Sequence, residues 1–220
     1  MKIAVFASGG GSNLEALLNA CHRSGPARVA LVVSNRADSG AVAKARTAHI
    51  ATSIVGDPRD GAAIVRALHE AGTDLVVLAG YLKLIPPSVV AAYRGRMINI
   101  HPSLLPAFGG EGMYGKRVHQ AVLARGATVS GATVHLVDEE FDRGRIVAQW
   151  PVPVMADDTP ETLAQRVLAV EHQLLPAVVL TAAHRGRVEA LRVSAPDFAF
   201  KNAAAADLTE VWRGLASPIE

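Results

Sequence analysis

At 220 residues, half of them hydrophobic and 19% charged, the chain is long enough to bury one sizeable core and short for two. Its 22 basic side chains against 20 acidic ones leave a net charge of +2, too even a balance for a surface built around nucleic acid. A single cysteine, Cys21, excludes an intramolecular disulfide and suits a reducing compartment. The N-terminal apolar run stops at glycines with no cleavage pattern, and no apolar stretch approaches the roughly 20 residues that cross a bilayer, so a cytoplasmic protein outside the membrane is expected.

In chain order, a strand is predicted at 3–6 (IAVF), then the loop SGGGSN from Ser8 to Asn13, then a helix from Leu14 to Cys21. A second strand at 29–33 (VALVV) leads through SNRADSG to a helix from Ala41 to Ala48. Another helix, Gly61 to Gly72, precedes a strand at 74–79 (DLVVLA). A helix from Pro87 to Arg94, a strand at 97–100 (MINI) and a helix from Arg117 to Arg125 follow. The run at 129–137 (VSGATVHLV) alternates more than the others, as a strand near an edge or facing a site does. Ile146 to Val154 is broken by Pro151 and Pro153 and so is predicted at an edge. A long helix from Pro160 to Arg185 comes next, and the segment after Pro196 reads as an irregular crossing with a helical end. Continuously apolar strands alternating with helices predict an α/β fold. It is expected to be one Rossmann-like open sheet, mostly parallel with an antiparallel edge, with helices on both faces. No linker or internal repeat divides it.

The glycines of SGGGSN sit where a strand turns into a helix. There the backbone can approach an anion closely and the helix N-terminus favours negative charge. Ser12 and Asn13 can add donors, or cap the helix; a plain tight turn is the competing reading. The P-loop lysine and the third glycine of the dinucleotide fingerprint are both missing, and Arg36 keeps only an NADP reading open. A phosphate monoester is the expected ligand.

The most informative segment is MINIHPSLLPAF, 97–108. Asn99 and His101 are two apart on a strand end, so they share a face, and an amide beside an imidazole suits oxyanion stabilisation and proton movement. Capping and turn roles would explain the pair equally. Downstream, VDEEFDRGRI crowds Asp138, Glu139, Glu140 and Asp142, of which only one need face inward. His135 lies nearby, yet no zinc-like spacing appears and no metal is expected. Ser103 lacks the glycines of a nucleophile elbow, and Cys21 lies in the first helix, away from the strand ends.

In this order and spacing, SGGGSN, AGYLKLIPP, INIHPSLLP and GATVHLVDEEFDRGRI resemble the formyltetrahydrofolate-dependent formyltransferases over residues 1 to 185. Within them the likeness is greatest to the branch that formylates a phosphoribosylglycinamide (GAR) in purine synthesis. The resemblance implies a catalytic domain over 1–195, with a phosphate-binding N-terminal half and a folate and catalytic C-terminal half, and an extension over 196–220. It implies small-molecule substrates and 10-formyltetrahydrofolate as co-substrate; no metal and no nucleic-acid partner are expected, and monomer or homodimer is left open.

Carried over residue by residue, the family's catalytic trio falls on Asn99, His101 and Asp142. Its acceptor contacts fall on Gly10, Gly11, Ser12, Asn13 and Glu171. Its folate contacts fall on Arg59, Leu82, Lys83, Leu84, Ile85, Asn99 and the backbone around Glu139 and Glu140. Lys83 stands where an arginine is common. The glycine-rich segment 109–115 is longer than in the simplest members, and Pro106 is a candidate cis proline. Related deformylases carry an N-terminal regulatory domain for which a glycine loop at residue 8 leaves no place, and tRNA-directed members carry a further C-terminal domain; a transferase acting on a small amine is therefore expected.

Overall fold

The strand β1 (Lys2–Phe6) is apolar on both faces because both are covered. Ile3 and Val5 join one core cluster, Ala4 and Phe6 another, and all four are fully buried. In the computed structural model, which describes residues 1–21 and 25–191, β1 is the third strand of a seven-stranded sheet. The other strands are β2 (Arg28–Ser34), β3 (Ala51–Ile54), β4 (Leu75–Leu78), β5 (Met97–His101), β6 (Val129–Leu136) and β7 (Ile146–Pro153), and the order is β3-β2-β1-β4-β5-β6-β7. β1 to β5 are parallel, while β6 and β7 pair antiparallel to β5 and to each other. The expected open sheet with an antiparallel edge is therefore present, and β7, with Pro151 and Pro153, is the edge strand. β3 was not predicted: its sequence ATSI is short and has no fully buried residue, the profile of the opposite edge.

Helices α1 (Ser12–Ala20), α2 (Gly40–Thr47), α5 (Lys116–Ala124) and α6 (Pro160–Arg185) accompany the cluster around Val5, Ile98 and Leu174. Helices α3 (Gly61–Glu70) and α4 (Pro87–Ala92) cover Phe6, Val76 and Met97 on the other face. Local signals fix their starts. Ser39 and Asp60 accept N-capping bonds from Val42 and Ala63, α4 opens with Pro87, and Thr159 with Thr162 forms a capping box before α6. α6 ends at Gly186 in the left-handed conformation. Contrary to the expectation from sequence, α6 is long and apolar enough to cross a bilayer by length and composition. Here it is a core helix, burying Leu163, Val167, Leu174 and Val178 against the sheet. The expected extension at 196–220 lies outside the described residues.

β5 positions the site. Ile98 and Ile100 point into the core beneath α6, and full burial of such a side chain contributes about 1.5–3 kcal/mol. Alternation along the strand then forces Met97, Asn99 and His101 to the opposite face. Slipping β5 by one residue would bury the amide and expose both isoleucines, so the packing of the core sets the direction of the polar pair.

Candidate active site

Beyond the carboxyl end of β5, where open α/β sheets bind ligands, lies a cavity of about 700 Å³ whose wall includes Asn99, His101, His135 and Asp142. The segment that follows β5 is held by the neighbouring antiparallel strands. Thr133 on β6 accepts from the Leu105 amide at 3.0 Å and donates to the Ser103 carbonyl at 2.6 Å, and Gln149 on β7 donates to the Leu105 carbonyl at 2.8 Å. The Leu105–Pro106 peptide is cis, as the resemblance suggested.

The expected trio comes together. The His101 Nδ1 lies 3.4 Å from Asp142 Oδ2, and the Asn99 amide nitrogen lies 3.4 Å from Asp142 Oδ1. Asp142 also accepts from the Gly110 amide at 2.9 Å, so the glycine-rich segment, which sequence reading left without a role, closes onto the carboxylate. A Cβ at Gly109 would fall 2.4 Å from Leu105 Cδ2 and 3.2 Å from the Asp142 Cβ, so a side chain there would push this contact apart. Asp142 itself has a left-handed φ of 57°, which Asp tolerates better than most residues.

His135 is a fourth member that sequence reading considered only for a metal. It is opposite Asn99 in the β5–β6 ladder, its Nε2 is 3.0 Å from the Asn99 amide nitrogen and 3.4 Å from Asp142 Oδ1, and its Nδ1 donates to the Leu136 carbonyl at 2.8 Å. Nε2 thus faces both the Asn99 amide and the Asp142 carboxylate: neutral it accepts from the amide, and protonated it donates to the carboxylate. The signal was available in the alternation of TVHLV, which puts His135 on the same side of the sheet as its cross-strand partner.

Burial works against the charge of Asp142, but it is outweighed by His135, by His101 and by the Gly110 amide, so its pKa is held below the usual value and the group stays a carboxylate. Burial lowers the pKa of His101. Asp142, and the Phe108 carbonyl 2.9 Å from Nε2, oppose this without reversing it. Both ring nitrogens thus face oxygen acceptors, an arrangement completed by a second proton once further negative charge arrives. Among the described residues no group of three or more His, Cys, Asp or Glu side chains is arranged to hold a metal ion. Cys21 is buried at the end of α1 with its thiol pushed up to about 11 by burial, far from the thiolate a nucleophile needs.

The glycine loop is fixed between strand ends. Ser8 donates to the Asn35 side chain at 2.6 Å and accepts from the Leu82 amide at 3.2 Å, while its own amide donates to the Gly80 carbonyl at 3.0 Å. Gly11 has φ 73°, and a Cβ on it would lie 2.7 Å from Ala41 Cα, so only glycine permits this approach to α2. Neither Ser12 nor Asn13 caps α1. Gly11 is the N-cap with no side-chain bond, which leaves the first N–H groups open to an external anion. Asn13 turns inward and donates to Glu171 on α6 at 2.7 Å. Glu171 is raised to about 7 by burial, which the Asn13 bond offsets only in part.

Of the remaining expected positions, Leu82, Lys83, Leu84, Ile85 and Glu140 line the cavity, as do Asn13 and Glu171. Leu82 and Leu84 are about half exposed at its mouth, as suits an apolar ligand and not a closed core. Gly10, Gly11 and Ser12 fall outside the wall itself. Arg59 is also outside it: its side chain is 91% exposed and is held by Asp57 at 3.3 Å. Glu139 is outside as well and turns to Arg94 at 2.6 Å.

The sheet and this wall define a Rossmann-like α/β protein with an amide, two imidazoles and a carboxylate gathered beyond its strand ends. Residues 1–179 match the formyl transferase family, and the chain belongs to it. It is 50% identical over 186 residues to the chloroplastic phosphoribosylglycinamide formyltransferase of Arabidopsis thaliana, covering 81% of this chain and 64% of that one. The chain thus spans somewhat under two thirds of that plant relative's length. Identity to the phosphoribosylglycinamide formyltransferase of Haemophilus influenzae is 37%, covering 81% of this chain and 85% of that one. The crystal structure of phosphoribosylglycinamide formyltransferase from Anaplasma phagocytophilum superposes with a TM-score of 0.78 at 37% identity, covering 84% and 87% of the two chains.

Proposed function

We propose that the protein transfers the formyl group of 10-formyltetrahydrofolate to the amine of 5-phosphoribosylglycinamide, a step of purine synthesis. The observation that carries this reading is the convergence of Asn99, His101 and Asp142 on one cavity, which Asn13, in the first turn of a helix with an uncapped N-terminus, also lines. The names of the relatives at 37% and 50% identity support the acceptor.

The chemistry is acyl transfer without a covalent enzyme intermediate. The amine nitrogen attacks the formyl carbon, a C–N bond forms, and the carbonyl oxygen becomes an oxyanion. The Asn99 amide and a His101 N–H, bonded to His135 and to the Phe108 carbonyl, exchange these partners for that oxygen. The oxyanion and Asp142 then flank His101 with negative charge and favour its protonated form. As the bond to N10 breaks, the amine gives up one proton and N10 gains one, with the Asp142 carboxylate as the acceptor that passes it on. The products are the formamide and tetrahydrofolate. Leu82, Leu84 and Ile85 provide apolar surface for the folate, and the Gly11–Asn13 amides receive the ribonucleotide phosphate.

The test is the absorbance change on release of tetrahydrofolate, with and without the ribonucleotide. Release that requires the ribonucleotide is expected. Release in its absence would make water the acceptor and overturn the transferase reading.

A further inference from the structure

We infer that His119 is a substrate-contacting residue that presents an N–H donor to an oxygen of the amine-bearing substrate, because its buried ring lines the cavity with one nitrogen sealed and unpartnered. The inference rests on the acyl-transfer reading above. His119 is 4% exposed, and it lies one turn after Lys116 on the face of α5 that forms part of the cavity wall. Lys116 pairs with Glu161 at the start of α6, so the two helices are tied at this end of the cavity. Asn13 and Glu171 line the wall from the side of α1 and α6, where the phosphate-bearing substrate is proposed to lie.

Five polar side chains of the cavity wall are already engaged, while the Tyr81 hydroxyl and Asn13 Oδ1 are, like His119 Nδ1, sealed without a partner among the described residues. Asn99 is bonded to His135, His101 to the Phe108 carbonyl, Asp142 to Gly110, Glu171 to Asn13 and Lys116 to Glu161. His119 forms no hydrogen bond within the described residues, and of its two nitrogens only Nδ1 is sealed from the surface. A buried imidazole with no structural partner is unfavourable unless something else uses it. Burial, and then the cost of placing a second positive charge near His101, hold its pKa below the ordinary value, so the ring is neutral and carries one proton. A sealed N–H without an acceptor is a rarer and costlier arrangement than a sealed lone pair. The proton therefore belongs on Nε2, the nitrogen left open, and the ring offers a donor matched to a carbonyl or hydroxyl oxygen and not to the attacking amine.

Three variants separate this role from a packing role. Leu keeps bulk and removes both nitrogens, Gln places an amide N–H near the Nε2 position, and Asn places one near Nδ1. Steady-state kinetics would be measured for both substrates, with calorimetric binding of the ribonucleotide and thermal midpoints. His119→Leu is expected to weaken ribonucleotide binding and kcat/KM about tenfold, the size of one lost hydrogen bond. The folate KM should stay within twofold and the thermal midpoint should not fall, because an orphaned polar group has been removed. His119→Gln should recover most of the loss and His119→Asn little of it. A Leu variant with wild-type ribonucleotide kinetics would overturn the assignment. So would a loss confined to folate, or an equal loss in all three variants with a lowered midpoint. A wild-type protein inert with the ribonucleotide would instead remove the transferase reading itself, and this inference with it.

Discussion

Replacing Glu171 by Gln tests the electrostatics of the buried wall without depending on activity. Glu171 is 7% exposed and its one side-chain bond among the described residues is from Asn13 at 2.7 Å, too little to compensate a charge taken out of water. Its pKa rises from the ordinary 4.5 to about 7. An unfolded chain therefore releases this proton above pH 4.5, while the folded protein keeps it until about pH 7. The folded state binds more protons in that window, so stability is fully present below pH 4.5 and declines as pH rises to 7. The displacement corresponds to about 3 kcal/mol. Gln has the shape of the protonated acid and does not titrate, so Glu171→Gln should match wild type near pH 4.5. It should exceed wild type by up to about 3 kcal/mol at pH 8, roughly 6–12 °C in midpoint for a chain of this length. Urea unfolding of both proteins at half-unit steps from pH 4.5 to 8 gives the difference directly. A stability gap that does not change with pH across that range would refute the argument, because it would mean that Glu171 titrates alike in the folded and unfolded states.

Asp142→Asn keeps the shape and removes the charge opposite His101. Turnover is expected to drop by about 10²–10³ with the fold intact by circular dichroism, and near-wild-type turnover would take the carboxylate out of the mechanism. Gly11→Ala forces a side chain into left-handed backbone against Ala41; it should destabilise by about 1–3 kcal/mol and weaken binding of the phosphate-bearing substrate more than that of folate, both by calorimetry. Asp158 is gripped by both arms of Arg166 at 2.6 and 2.9 Å and by the Met155 amide at 2.7 Å. Arg166 above all holds its pKa well below the usual carboxylate range, so its contribution is present above the unfolded value of 3.8 and is lost as pH falls through the lower folded value. Asp158→Asn should therefore lower the urea midpoint at pH 7, and the gap should close in acid.

The β-branched runs at β1, β2, β4 and β5 disclosed a parallel sheet because strands covered on both faces need no alternation. The two prolines disclosed β7 as an edge, since an outer strand can spare ladder donors. β3 escaped notice because ATSI buries too little to show a pattern. At the site, Asn99 and His101 were legible from their spacing on one strand. Asp142 was not distinguishable from Asp138, Glu139 and Glu140 by composition, and only the family resemblance singled it out. What selects it physically is long-range: a left-handed φ and the amide of Gly110, 32 residues away in sequence. His119 was hidden for a related reason. A histidine on an amphipathic helix reads as packing until the absence of a partner for its buried nitrogen is seen.

β5 is bonded on both sides, parallel to β4 and antiparallel to β6, whereas Asp142 sits on the connection between β6 and β7. The two halves of the proposed catalytic group therefore belong to regions of unequal protection. The amides of Asn99 and His101 can exchange with solvent only when the middle of the sheet opens, while the 137–145 connection can open alone. Deuterium exchange should resolve the two, and the first event on gentle destabilisation would be loss of the carboxylate from its imidazoles within an otherwise folded molecule. Inactivation would then precede unfolding.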